Sequence, residues 1–510
     1  MKVTFLGHAG LKVETKYATV LVDPWLSPEG AFLASWFQYP DNQHLMTPSL
    51  LQPTLIAISH EHLDHVDPWF LAQVSEQVPV IIPRYDSLVL KQKIAGAGIK
   101  TIVEVPQWEP VQLAKGASMF FVSESPMNHD SAIVIVADGK TLLNLNDARL
   151  SIAQLRSIRA KVGGIIDVLA LQGAGASWYP ICYDYPEERK RELSHRKRMA
   201  KFSYLQRAIK SVEPVTAIPI AGPPCFLDTE LGWVNTEMEE GIFPDQQQVI
   251  DWLAEREVKN TVLLLPGDAF DIREQKKEAD PIWRNFSFSD RNSYLENYAQ
   301  KRVTQITALK ARYPEPTESL WDTFRDYFQR LLAMSPYFNS KIGMRVGFDI
   351  VGSGGGKWAV DFRPGLSGVF EEMGECSYGY RFASRWLPPL LNGEVPWEDF
   401  FLSLRFVAWR NPDIYNDHLL GLLKFACPQS LKAVEEYETS MDSKEQMTIH
   451  AEGHTYQVQR YCPHAGLDLH EVGEVLPGRI LRCLGHHYEF ELETGKCLNG
   501  KCKSLESHRV

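Results

Sequence analysis

Four potential metal donors near the end of the chain constrain this sequence more than any other feature: Cys462 and His464 in Cys462-Pro463-His464, and Cys483 and His486 in Cys483-Leu484-Gly485-His486. They form a C-x-H and a C-x-x-H pattern on two separate, glycine-bearing loops. Two thiolates with two imidazoles are the donor set of a [2Fe–2S] centre in which two His replace two Cys on one iron. A Cys2His2 zinc site is the alternative, but zinc fingers place their histidines together on a helix, after a closely spaced Cys pair. A [2Fe–2S] centre moves single electrons, so the rest of the chain should contain what uses them.

The pattern resembles that of Rieske proteins. Some high-potential Rieske proteins carry a further cysteine in each loop. The corresponding positions here are Leu467 and Gly485, so the resemblance implies no disulfide between the loops. Cys182, Cys225, Cys376 and Cys427 are scattered, as reduced structural cysteines would be, and Cys497 and Cys502 are expected to be free thiols.

A chain of 510 residues predicts about two to four domains. Its formal charge of −11 argues against a nucleic-acid partner, because phosphate binding needs a basic surface. Met1-Lys2-Val3-Thr4-Phe5-Leu6 reads as a strand and not as a signal peptide, and no apolar run approaches the ~20 residues that span a bilayer. The expected location is the cytoplasm, with no membrane partner.

From the beginning, residues 3–6, 11–14 and 19–22 are apolar or β-branched and separated by polar or glycine turns, a hairpin-like pattern. A buried-strand run, Leu55-Ile56-Ala57-Ile58-Ser59, then opens into His60-Glu61-His62-Leu63-Asp64-His65. Residues two apart on an extended loop project alike, and a following turn brings Asp64 and His65 round to a second metal position.

This H-x-H-x-D-H run resembles the ligand signature of the metallo-β-lactamase fold. The resemblance implies a later single His and then a bridging Asp. His129, before the strand 132–137, and Asp147, after Leu142–Asn146, stand in that order. The expected assignment is His60, His62 and His129 to one metal and Asp64 and His65 to the other, with Asp147 between them. A further late His is missing, since His195 lies in the charged run 187–198, which reads as a solvated helix face. His8 and Asp268 are the candidates to complete the second position.

Longer stretches resemble the CMP-N-acetylneuraminate hydroxylase family, which joins a Rieske centre to a metallo-β-lactamase-like domain. They include His8-Ala9, Asp23-Pro24-Trp25-Leu26, Ile58–His65, Asn144–Asp147, Gly173–Pro180, Pro219–Gly222, Pro266-Gly267-Asp268 and Arg410–Tyr415. Family members of the vertebrate type carry the Rieske module first; here it is last. The resemblance therefore implies oxygenase chemistry more firmly than the same substrate.

The expected architecture is multidomain α/β plus β. It comprises an αββα metallo-β-lactamase-like catalytic domain (1–275), a helical, α+β middle region (276–427) and an all-β Rieske domain (445–510). Within the middle region, residues 280–335 show helical spacing broken at Pro314 and Pro316, and the glycine run 352–356 joins two strands as a hairpin loop, not a phosphate cradle. Residues 340–425 resemble a sterol-carrier-like α/β fold, and the polar stretch 435–445 reads as a linker.

Zinc has no redox chemistry, and His and carboxylate ligands also suit iron. The expected function is therefore an O2-dependent monooxygenase with one or two irons. Its donor would be a ferredoxin, flavodoxin or cytochrome b5-like protein with its reductase, and its substrate a small molecule such as an N-acyl sugar, nucleotide sugar or amine. Electron transfer between subunits of a homo-oligomer is the alternative if the two centres are distant in one chain. The competing readings are a zinc hydrolase with a regulatory Rieske domain and an O2 or NO reductase.

Overall fold

A computed structural model describes residues 1–125, 128–175, 177–440, 445–464, 466–484, 488–500 and 502–510. The chain packs as two units, residues 1–177 with 191–309, and residues 178–190 with 310–510.

In the first unit, an eight-stranded and a six-stranded sheet face each other. Strand residues alternate between two cores because successive side chains point to opposite faces. Val20 and Val22 enter the core between the sheets, whereas Leu21 turns to the outer core with Phe70, Leu90 and Ile94. On the second sheet, Ile133, Ile135 and Leu142 face inward, while Val134 and Leu143 pack outward on Leu155, Leu205 and Leu253. The result is the αββα metallo-β-lactamase fold. Covering both faces explains the nearly continuous apolar runs of these strands.

Strands Thr19–Val22 and Leu55–Ala57 are parallel neighbours, as are Lys140–Asn144 and Val168–Gln172. Their carboxyl ends lead into Asp23, the His60–His65 run, Asp147 and the loop after Gln172. Such strand ends are where α/β sheets place ligands.

The second unit holds a five-stranded sheet flanked by helices Trp321–Met334 and Pro336–Ile342. Its strands Arg345–Val351 and Gly356–Asp361 form the expected hairpin, with Gly352 and Gly354 in the left-handed region. Residues up to Ser440 are not a linker: helix Pro428–Ser440 buries Leu431 and Val434 on one face, and that apolar pair outweighs the polar average of the stretch. The C-terminal part has two three-stranded sheets around one core. No helix among the described residues is long and apolar enough to cross a membrane.

Candidate functional site

The turn in which the backbone N–H groups of His65 and Val66 donate to the carbonyl of His62 swings Asp64 and His65 away from His60 and His62. Asp67 holds this loop from below. Its carboxylate accepts from Phe70 N–H (3.1 Å) as a helix cap, and from Leu26 and Ser27 N–H (2.9 and 2.7 Å) in the loop after the neighbouring strand. Burial raises the Asp67 pKa to about 6, against the opposing effect of these backbone bonds.

Two groups of buried donors result. His60, His62 and Asp147 offer ligand atoms within 4.8 Å of one another, and so do His8, Asp64 and His65. His65 Nε2 lies 3.4 Å from Asp147 Oδ1 and 3.8 Å from Asp64 Oδ2, so Asp147 stands between the groups. His8, with φ at 49°, places Nε2 2.8 Å from Asp64 Oδ2.

His129 belongs to neither group. Its Nδ1 is 3.1 Å from Glu61 Oε1, and its ring stacks on Tyr85 at 4.5 Å. Asp268 also stands apart: it accepts from Leu265 N–H and Asp280 N–H and pairs with Lys277. His195 is exposed on helix Glu187–Val212.

Asp23 emerges as a positioning residue without a role assigned from sequence. Its carboxylate accepts from Ser59 N–H (2.8 Å) and Ser59 Oγ (2.6 Å) and binds His65 Nδ1 at 2.9 Å, while Ser59 Oγ also meets His60 Nδ1 at 2.9 Å. One buried carboxylate thus fixes the ring of His65 directly and that of His60 through a serine. This is the outer support that metal-binding histidines use.

The electrostatics fit a cation. Asp64 Oδ1, His65 Nε2 and Asp147 Oδ1 are buried and make no hydrogen bond, where such atoms are ordinarily satisfied. Burial opposes ionisation of Asp147, yet His65 and His60 beside it hold its carboxyl far below the usual range. Burial likewise disfavours the charged form of His65, but Asp147, Asp64 and Asp23 raise its pKa well above the ordinary value. His60 is driven the other way by burial and its His neighbours, into the neutral form that binds metal.

Aromatic rings wall the pocket: Trp25 lies 5.2 Å and Trp36 6.5 Å from His8, and Phe32 6.4 Å from His62. Phe32, Leu33 and Ala34 all take positive φ, strain of the kind found at functional sites.

In the second unit, Cys462 and Cys483 are buried in one core with Leu467, Leu481 and Phe490. The Cys462 loop closes through Cys462 N–H to Leu467 O and Gly466 N–H to Cys462 O, each 2.8 Å. His464 packs 4.4 Å from Tyr488, with Nε2 3.3 Å from Asp417 Oδ2. Two buried thiols and an adjacent imidazole suit an iron–sulfur cluster. Gly485 and His486 lie outside the described residues. Among the described residues the cysteines form no disulfide.

A β-lactamase superfamily domain matches residues 2–148, and a Rieske [2Fe-2S] domain matches residues 426–508. A protein of Mycolicibacterium smegmatis, named as a Rieske 2Fe-2S iron-sulfur protein, is 30% identical over 100% of both chains. One of Mycobacterium tuberculosis with the same description shares 30% identity, again over 100% of each. The chain belongs to this Rieske iron–sulfur protein family. The cytidine monophosphate-N-acetylneuraminic acid hydroxylase of Danio rerio is similar at 22% identity, over 81% of this Rieske protein and 70% of its own length. Among solved structures, the diiron β-hydroxylase CmlA of Streptomyces venezuelae is 19% identical, over 55% of this chain and 54% of that one, with a TM-score of 0.36.

Proposed function

We propose that this protein is a Rieske-dependent iron monooxygenase, an oxidoreductase that hydroxylates or N-oxygenates a small molecule at the His/Asp pocket of its first unit. The observation that carries the reading is that pocket, with its buried, unbonded donor atoms, in the same chain as a one-electron donor domain. Zinc would leave that donor without a role. The similarity to hydroxylases that act on a nucleotide-activated N-acyl sugar supports the same chemistry and makes N-acyl sugars, nucleotide sugars and amines the substrates to try.

When bound, iron in the pocket supplies the binding and reduction of O2, and the cluster supplies electrons singly. His60, His62 and Asp147 would hold one iron and His8, Asp64 and His65 the other. His129 remains a proposed ligand, with Glu61 fixing its Nδ1. Asp23 keeps His65 and His60 oriented, and the Trp25, Phe32 and Trp36 wall excludes water from the reacting face. Cys462, His464, Cys483 and His486 would carry the cluster, reduced by a ferredoxin, flavodoxin or cytochrome b5-like donor with its reductase.

The test is oxygen uptake coupled to mass analysis across those substrates, with His62→Ala and His464→Ala as controls. The reading requires a product heavier by one oxygen atom, lost in both variants. Turnover by zinc-filled protein without O2 or reductant would instead establish a hydrolase, and gas consumption without product a reductase.

A further inference from the structure

Helix Asp417–Phe425 begins against the cysteine–histidine site of the second unit. Its cap is Asn416, whose side chain accepts from Leu419 N–H at 2.9 Å and donates to Ile342 O at 3.2 Å. Asp417 therefore stands in the first turn, where the helix N-terminus favours an ionised carboxylate. Its Oδ2 lies 3.3 Å from His464 Nε2. That oxygen is buried and accepts no other hydrogen bond among the described residues, so the imidazole is the group that answers its charge.

The contact is supported from both sides. On the helix side, the neighbouring His418 places Nε2 3.1 Å from each carboxylate oxygen of Glu438, which ties this helix to helix Pro428–Ser440. On the other side, the His464 ring packs 4.4 Å from the ring of Tyr488. Gly500 makes room for that ring, since a Cβ there would lie 1.7 Å from Tyr488 Cε1. Gly500 also bridges to Tyr415, whose N–H donates to Asn499 O at 3.2 Å. The segment carrying Asp417 is thus fastened to the loop that supports the His464 ring.

We propose that Asp417 is a positioning residue of the [2Fe–2S] centre, which orients His464 through Nε2 and lowers the reduction potential of the cluster. The inference rests on the Rieske domain and not on the oxygenase reading. With Nε2 turned to the carboxylate, Nδ1 is the nitrogen that would hold the iron. A carboxylate behind a metal-bound imidazole fixes its tautomer and makes it a stronger donor, and a negative charge nearby opposes the arrival of an electron. Both effects favour the oxidised cluster. Asp417 lies before residues 426–508, which match the Rieske domain, so the tuning comes from the middle region and gives that region a part in electron supply.

The experiment is a reductive titration of the full-length protein with dithionite and redox dyes at one pH, without substrate or O2, read by the visible absorption of the cluster. Failure of the oxygenase reading leaves this measurement untouched. At the wild-type midpoint potential, Asp417→Asn should raise the ratio of reduced to oxidised cluster at least tenfold, about 59 mV for one electron. Glu506→Gln, which removes an exposed carboxylate of the same domain, should titrate as wild type. A smaller rise in Asp417→Asn, or an equal rise in Glu506→Gln, overturns the proposal. If Asp417→Asn does not retain the cluster, Asp417→Glu, which keeps the charge, must retain it at wild-type iron and sulfide content; loss from both variants marks the position as packing alone and overturns the proposal as well.

Discussion

At the scale of single residues, two buried carboxylates do different work. Asp23 orients two histidines, so Asp23→Ala should lower metal affinity about 10–100-fold while leaving the six donors of the pocket in place; a chelator competition measures it. Asp67 instead carries a pH dependence. Its folded pKa of about 6 stands above the value of about 3.9 for an unfolded Asp, so folding takes up a proton between these limits. Its contribution to stability is fully present below about pH 4 and is lost as pH rises through about 6. Asp67→Asn removes that titration. Relative to wild type, the variant should therefore gain about 3 kcal/mol between pH 4 and pH 7, read as a divergence of urea midpoints with pH.

At the scale of elements, Arg410 pins segment 178–185 to the end of strand Phe406–Arg410 within the second unit. Its guanidinium lies 4.6 Å from the Tyr179 ring centre, 4.7 Å from Tyr183 and 5.5 Å from Tyr415, and it pairs with Asp413 at 2.6 Å. Tyr179 and Tyr185 donate to the same carboxylate at 3.0 and 2.6 Å. Arg410→Ala would leave Asp413 without its charge partner and should cost about 3 kcal/mol, seen as a lower melting temperature of the full chain. Ser151 is a smaller case. It caps helix Ile152–Lys161 in a reciprocal capping box with Gln154. Ser151→Ala should cost about 1 kcal/mol, measurable by the same melt.

At the scale of the whole molecule, the β-lactamase superfamily domain and the Rieske domain belong to separate units, and on the proposed reading so do bond-making chemistry and electron supply. Cys483→Ser should therefore abolish reductant-driven oxygen uptake while the metal content of the first unit stays at the wild-type level, as elemental analysis and uptake measured on one preparation would show. Loss of the first unit's metal in that variant would mean that the two centres assemble together.

The sequence by itself determined the parts whose chemistry is local. His60, His62, Asp64 and His65 lie within six residues at a strand end, and Cys462-Pro463-His464 states its donors outright, so these were legible one after another. What only the tertiary structure decided depends on neighbours distant in the chain. Asp23 acquires its role because two parallel strands set it beside Ser59 and His65. His8 joins Asp64 because strand Lys2–Gly7 ends at the same edge, while His129 turns its Nδ1 to Glu61 and falls outside both donor groups. Lys197 sits in the charged run 187–198 and Lys201 just beyond it, on a helix whose composition is the same whichever face is buried. Only the packing of that helix on the second sheet separates the exposed cations from the half-buried ones, because burial depends on what the helix lies against, and that partner is far away in sequence.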